Sequence, residues 1–433
     1  MSRKESSIVV PLPLREKRAV GGPVAMQLLA TLFGLALAGW LAAAAALVAA
    51  APDLARAHPG GAAPVLAAHF IGLALLPPAV AGASFHLLPV LLRNDLRGRR
   101  RLWLLPPLLA AGLALAPGIA LDAPVVVWPA AAALTCGLGL MIAELGGLLV
   151  HAPAGRRLVT SRTGVALSLL HAAAALALGA LAFGRGEAPL AGVTHDRWVL
   201  VHLHVAVLGW LTLFIVAVAR TLAPMLAMAP AVPPRRFPVE EVALVLGLWS
   251  LAAGLAADAR PLEVAGGSLV VIALAAFFAA LIRSARKRRG PLEAPLVHML
   301  AGLLFLGQAA VLGLGLASGV FEPGRALVAY VVFLLLGWAA GVVLGHVGKL
   351  LSLSLWVWWP PGPRPRQELL YPRRLWLVEA AAFALGVETV GLGALLGSVA
   401  AVRVGAAALC LAALAGVLGS AVTWSRRPRP GRP

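Results

Sequence analysis

The chain has 433 residues, of which 61% are hydrophobic and only 12% are charged. Soluble domains are typically about 45–50% apolar, so this composition excludes an ordinary water-soluble protein. A net charge of +19 would favour a nucleic-acid partner in a soluble protein, but here the basic residues lie in short segments between long apolar stretches, the arrangement that orients membrane proteins.

Apolar stretches recur along the chain, and short segments rich in Pro, Gly and Arg separate them. A helix needs about 20 apolar residues to cross a hydrocarbon core of about 30 Å. We therefore predict an all-α, polytopic membrane bundle of twelve spanning helices. In chain order the predicted spans cover residues 24–50, 64–92, 102–120, 124–150, 163–183, 197–228, 239–257, 265–283, 296–317, 325–357, 375–398 and 402–424.

The basic residues also predict the orientation of these spans. Of the 36 Lys and Arg residues, 28 lie in the two tails and in every second loop, whereas six lie in the remaining loops. Because cytoplasmic loops carry the excess of Lys and Arg, both termini are predicted to be cytoplasmic, in a bacterial-type cytoplasmic (inner) membrane. The predicted organisation is a cytoplasmic tail over residues 1–23, one transmembrane domain over 24–424 and an Arg- and Pro-rich cytoplasmic tail over 425–433.

A weak internal repeat is present at a spacing of four helices. The sixth and tenth spans share the strings Leu208-Gly209-Trp210 and Leu336-Gly337-Trp338. The second span ends in His86-Leu87-Leu88-Pro89, and the sixth ends in Leu222-Ala223-Pro224. These similarities favour three pseudo-repeated units of four helices.

Three histidines lie at matched depth near the outer face. His69 is near the start of the second span, and His202 and His204 are near the start of the sixth. Both His69 and His204 precede an inner proline by 20 residues, so the repeat aligns them. Neutral imidazoles at one level on two helices can ligate haem iron or copper. Since two helical residues two positions apart point about 200° apart, His202 and His204 are predicted to face different pockets.

A second group of histidines lies toward the cytoplasmic side. His86, His298 and His346 fall near the inner ends of the second, ninth and tenth spans, close to Arg220 and Lys349. This group could form an inner anion, haem-propionate or metal site. Snorkelling side chains at the membrane interface explain it equally well.

Three other ionisable residues within the spans are candidates for a role in the bilayer. His171 lies in the middle of the fifth span, where it is either a ligand or a hydrogen-bonded core histidine. Glu144 in the fourth span and Glu388 in the eleventh are buried carboxylates, which serve as proton relays in redox proteins and as coupling sites in transporters. We treat Glu144 and Glu388 as candidate proton-relay residues.

The string from His202 to Trp210 resembles the His-x-His helix of cbb3-type oxidases. Together with His69, His86 to Pro89 and the string Gly345 to Lys349, it makes the chain similar to haem-copper oxidase subunit I, to nitric oxide reductases and to NnrS-type twelve-helix haem and copper proteins.

This resemblance implies haem b, with or without copper, in a membrane redox protein of nitric oxide, oxygen or copper metabolism. It also implies an electron donor such as a cytochrome or a cupredoxin. By the resemblance, His69, His202, His204 and His346 would bind the cofactor, and His204, His298 and His86 would be metal ligands. Because the seventh span has no histidine and the tenth has only His346, nitric oxide or copper handling, electron transfer or gas sensing fits better than oxygen reduction.

Two other classes of protein remain open. In a proton-coupled secondary transporter or permease, the histidines with Glu144 or Glu388 would bind substrate or protons near the midplane. In a structural membrane subunit, the same polar residues would only bond helices together. The outer position of the histidines favours the haem-binding interpretation over both.

Overall fold

A computed structural model describes residues 23–92, 94–152, 162–185, 192–230, 232 and 239–428. Within them, twelve helices are long and apolar enough to span a membrane, which confirms the predicted spans. They are α1 (Met26–Ala55), α2 (Ala62–Leu92), α3 (Arg101–Ala120), α4 (Pro124–Val150), α5 (Arg162–Gly184), α6 (His195–Leu226), α7 (Val239–Ala257), α8 (Arg260–Ala285), α9 (Ala294–Ser318), α10 (Arg325–Val357), α11 (Arg373–Leu396) and α12 (Val399–Ser425). Of the predicted tails, residues 1–22 and 429–433 lie outside the described residues.

Three helices spaced four apart form the centre of the bundle. In the most apolar window of each helix, 61% of the residues of α2, 67% of α6 and 83% of α10 are buried, against 33% in α4, α5 and α9. A helix that is apolar and buried on all sides must have other helices around it. The remaining helices therefore surround α2, α6 and α10.

Each central helix contains a π-helical stretch at a corresponding position. These stretches are Phe70–Leu75 in α2, Val205–Thr212 in α6 and Val332–Ala340 in α10. A π-helix bonds each residue to the fifth residue along the chain, and such segments are rare and frequent at functional sites. Their recurrence every four helices supports the predicted three-unit repeat.

Side chains add hydrogen bonds to carbonyl groups of the π-helical stretch of α6. Thr212 Oγ1 donates to Val207 O at 2.8 Å, and Ser168 Oγ of α5 donates to Trp210 O at 2.9 Å. Trp338 Nε1 of α10 donates to Thr212 Oγ1 at 2.9 Å. The π-helical stretch of α6 is thus bonded to α5 and α10 inside the bundle.

The last hairpin of each four-helix unit closes with the same turn. Asp122, Asp258 and Gly397 follow α3, α7 and α11 and adopt left-handed backbone conformations, with φ of 46°, 54° and 71°. The next residue in each turn donates its N–H to the carbonyl five residues earlier, at 2.8 to 2.9 Å. This is the bond of a helix-terminating Schellman turn. The three units thus share a turn as well as a π-helical stretch.

Close glycine contacts hold the α7–α8 and α11–α12 hairpins together. A Cβ on Gly266 would lie 2.6 Å from the carbonyl oxygen of Gly247, and one on Gly405 would lie 2.8 Å from that of Gly386. Only glycine permits this backbone approach, which is a common way to associate helices in a membrane. Since the two glycines of each hairpin have the same spacing in the chain, these contacts also repeat between units.

The two ends of the bundle differ in charge. We call the end that carries the α2–α3, α4–α5, α6–α7, α8–α9 and α10–α11 loops the basic end, and the other the opposite end. The basic end is the one that the sequence predicts to be cytoplasmic.

Candidate functional site

The predicted outer histidines lie at equivalent positions of the repeat, next to the π-helical stretches. His69 immediately precedes the π-helical stretch of α2, and His204 immediately precedes that of α6. His69 and His202 are each the eighth residue of their helix, so both lie roughly 10 Å from the opposite end. The predicted match in depth between α2 and α6 is therefore confirmed.

His69 and His202 lie on different helices, and their imidazoles are within the range of electrostatic interaction. The Nδ1 of His69 bonds to Val65 O at 2.8 Å, and the Nδ1 of His202 bonds to Ala175 O of α5 at 2.9 Å. A carbonyl oxygen can only accept, so Nδ1 carries the proton in both rings. Each Nε2 is left with a lone pair, the form in which histidine ligates a metal.

His69 and His202 are each half-buried. Gly179 of α5 lies against the His202 ring, since a Cβ there would lie 3.0 Å from His202 Cε1. A larger residue at that position would press on the ring, so the glycine helps to fix where His202 lies.

His204 points away from this pair, as its spacing from His202 predicts. It is 5% exposed and bonds through Nδ1 to Leu200 O at 2.7 Å. Its Nε2 accepts a hydrogen bond of 2.7 Å from Tyr330 Oη of α10, and the two rings stack with centroids 5.8 Å apart. His204 therefore has both ring nitrogens bonded, whereas His69 and His202 each keep Nε2 open.

Tyr330 is a site residue that the sequence analysis did not select. One signal could have found it: Tyr330 precedes Trp338 by eight residues, and His202 precedes Trp210 by the same number. The repeat therefore aligns Tyr330 with His202. The alignment gives the depth of Tyr330 along its helix, and the structure shows that its hydrogen-bond partner is His204.

His171 is a hydrogen-bonded core histidine, which was one of its two predicted roles. Its Nδ1 bonds to Leu167 O at 2.7 Å, and its Nε2 accepts from Trp249 Nε1 of α7 at 3.1 Å. Gly209 of α6 leaves the room for this ring, because a Cβ there would lie 2.6 Å from His171 Cδ2. With both nitrogens bonded, His171 joins α5 to α7.

The three inner histidines have separate partners. His86 lies within 3.2 Å of Ser354 Oγ, and His298 Nε2 lies 2.7 Å from Glu379 Oε2. His346 lies next to His298 and lines a cavity. Each of the three is thus engaged in a different local environment.

The two inner cations are neutralised by carboxylates. Arg220 Nη2 lies 2.9 Å from Glu240 Oε2, with Glu241 also in range, and Lys349 Nζ lies 2.7 Å from Glu293 Oε2. Because these charges are already paired, the inner ends of α6 and α10 offer no ready site for an anion or a haem propionate. Local ion pairs account for both cations.

The predicted metal ligands do not converge in the described part of the chain. His204 lies beside Tyr330 near the opposite end, whereas His298 and His86 lie near the basic end. Among the described residues, no three His, Cys, Asp or Glu side chains are grouped so as to hold a metal ion. His69 and His202 are the outer histidines whose Nε2 receives no hydrogen bond from a described residue.

The two candidate relay carboxylates differ in surroundings. Glu144 accepts from Gly98 N at 3.1 Å and lies 3.5 Å from Arg101 Nε, so it anchors the α2–α3 loop at the basic end. Glu388 accepts two bonds from Gln308 Nε2 of α9, at 2.9 and 3.1 Å. Glu388 is half-buried and lies away from both ends of α11, whereas Glu144 is 9% exposed.

Fold and site together define a multi-pass helical membrane protein with two half-buried histidines, His69 and His202, near the opposite end of its central helices. No model of a known protein family and no curated protein matches the chain.

Proposed function

We propose that the protein is a haem-binding integral membrane redox protein in which His69 and His202 supply the two axial imidazoles. One observation carries the proposal: two half-buried imidazoles on different helices lie at one depth and within electrostatic range, both with the Nδ1 proton held by a carbonyl and Nε2 open. Two such nitrogens are the ligand set of a bis-histidine haem. The donor set therefore fits the group that the family resemblance implies.

Each element around the pair has a distinct task. The carbonyls of Val65 and Ala175 fix the tautomer and the ring orientation, as outer partners of metal-binding histidines generally do. The Tyr330 hydroxyl holds His204 in place on the other side of α6. Bound haem would supply one-electron chemistry at this position.

The position also suggests where electrons would enter. Roughly 10 Å separates His69 and His202 from the opposite end of the bundle, whereas the basic end is far across the membrane. A cytochrome or cupredoxin donor would therefore dock at the opposite end, outside the cytoplasm. The copper sites of electron-transfer proteins need a cysteine besides two histidines, and the His69 and His202 pair has none, so haem is favoured over such a copper site here.

Spectroscopy of the purified protein tests the proposal. The full chain is produced with ample haem, and haem content, copper content and the reduced-minus-oxidised spectrum are measured. We expect stoichiometric haem with a low-spin α band, lost in His69→Ala and in His202→Ala. His58→Ala is the matched control, because the His58 side chain is 69% exposed in the α1–α2 turn. A folded wild-type protein without haem contradicts the proposal.

A proton-coupled transporter is the second candidate, and the bond between Gln308 and Glu388 favours it. The partner of this membrane carboxyl is an amide rather than a cation, so the pair is neutral when Glu388 is protonated. Carboxyls of this kind mark proton pathways in transporters. Proton uptake by proteoliposomes that is lost in Glu388→Gln, with no haem bound, supports this alternative over the first.

A further inference from the structure

A cavity of about 60 Å³ lies among the central helices, in the half of the bundle near the basic end. Side chains from α1, α2, α6, α9 and α10 line it, among them Phe33, Val80, Phe214, Met299 and His346. Of the described side chains that line it, His346 alone carries a nitrogen or an oxygen. The cavity is therefore an apolar space with a single polar point.

The free ring nitrogen of His346 is Nε2. The ring bonds through Nδ1 to Val342 O at 2.7 Å, so Nδ1 carries the proton and Nε2 keeps a lone pair. No described residue donates a hydrogen bond to Nε2. A neutral imidazole in this form accepts one hydrogen bond from a guest in the cavity.

The surroundings of His346 hold its ring on the cavity side. Gly345 lets α9 pack directly beside it, since a Cβ at Gly345 would lie 2.4 Å from His298 Cβ. The Nε2 of the neighbouring His298 is bonded to Glu379, and its Nδ1 has no hydrogen-bond partner among the described residues, so His298 makes no hydrogen bond to His346. The Nε2 of His346 is therefore left without a hydrogen bond from any described residue.

We propose that this cavity is a binding site for a small, uncharged, largely apolar molecule that donates one hydrogen bond, such as a short alcohol, to His346 Nε2. A guest of this size is smaller than benzene, which fills an engineered cavity of roughly 150 Å³. A charged guest is excluded because the lining side chains carry no opposite charge. Water fits poorly, since a buried water needs two to four polar partners.

The site is independent of the outer histidines. His346 lies 16 residues beyond Tyr330 in α10, or roughly 24 Å along the helix. The cavity therefore keeps its proposed role whether or not His69 and His202 bind haem.

Two isomeric probes test the hydrogen bond. The full chain in lipid nanodiscs carries ¹⁵N-labelled histidine, and the His346 Nε2 resonance is assigned by its loss in His346→Gln. Ethanol and dimethyl ether have the same atoms, but ethanol alone donates a hydrogen bond. We expect ethanol to shift the resonance saturably toward that of a hydrogen-bonded nitrogen, and dimethyl ether to leave it in place. No saturable shift with ethanol, or equal shifts with both probes, overturns the proposal.

Cavity-filling variants test the location. Ala219 is 5% exposed and lines the cavity, so Ala219→Leu should weaken the ethanol response at least tenfold. The matched control is Ala276→Leu, on the exposed face of α8, which should leave the response unchanged. If Ala219→Leu does not fold, the smaller change Ala83→Val, also in the cavity wall, takes its place. An unaltered response in the filled variant overturns the proposed location.

Discussion

The Tyr330 hydroxyl donates a hydrogen bond of 2.7 Å to His204 Nε2, and this bond joins α10 to α6 at the level of their π-helical stretches. It leaves His204 with both nitrogens bonded, and so separates the role of His204 from that of His202 two residues earlier. The hydrogen bond between Tyr330 and His204 therefore leaves His202 as the histidine of α6 that is open to a cofactor.

Loss of the Tyr330 hydroxyl should weaken the fold modestly. In Tyr330→Phe the buried Nε2 of His204 has no donor, so we expect the free energy of unfolding to fall by about 1 kcal/mol. A double-mutant cycle with His204→Ala measures the coupling, expected at about 0.5–2 kcal/mol. Additive single and double variants would contradict a direct bond.

Gly345 should tolerate no side chain. Gly345→Ala places a Cβ 2.4 Å from His298 Cβ, and we expect a loss of about 1–3 kcal/mol in the free energy of unfolding. Gly139 is the control, because its Cβ would meet nothing within 4 Å. Gly139→Ala should be neutral, or stabilise α4 by up to about 1 kcal/mol. Detergent-induced unfolding of the two variants checks the difference, and equal stabilities would argue against the close α9–α10 contact.

Removing one partner of the buried pair formed by His298 and Glu379 should lower the free energy of unfolding strongly. Both side chains are at most 2% exposed. Glu379→Leu leaves buried His298 without its partner and should lower the free energy of unfolding by roughly 3–5 kcal/mol. Glu379→Gln keeps an acceptor and should lower it by about 1–2 kcal/mol. The double change His298→Leu with Glu379→Leu should recover most of the loss. Thermal unfolding in detergent measures all three, and a double variant as unstable as Glu379→Leu alone would speak against the pair.

The orientation predicted from charge can be tested by reporters at the C-terminus. Twelve spans with cytoplasmic termini predict an active green fluorescent protein fusion after α12 and an inactive alkaline phosphatase fusion. The control is a truncation after the α11–α12 turn, where the two reporters should exchange activity. Phosphatase activity at the full-length C-terminus would contradict the predicted orientation and place His69 and His202 near the cytoplasm.

The spans could be predicted from sequence because hydropathy and length determine them almost alone. The level of His69 and His204 could also be predicted, because the repeat aligns them. The partner of His204 could not, since it depends on helix rotation, and the π-helical turns that set this rotation have no sequence signal. For the same reason, the contact between His298 and Glu379, distant in the chain, appears only in the folded bundle.

The central claim is that His69 and His202, and not His204, are the axial pair. Electron paramagnetic resonance of the oxidised, haem-supplied protein tests it most directly, because a low-spin ferric signal reports two strong axial ligands. We predict that the wild type and His204→Ala give this signal, while His69→Ala and His202→Ala each convert it to high spin or lose the haem. A low-spin signal that survives in His202→Ala and disappears in His204→Ala would contradict the assignment.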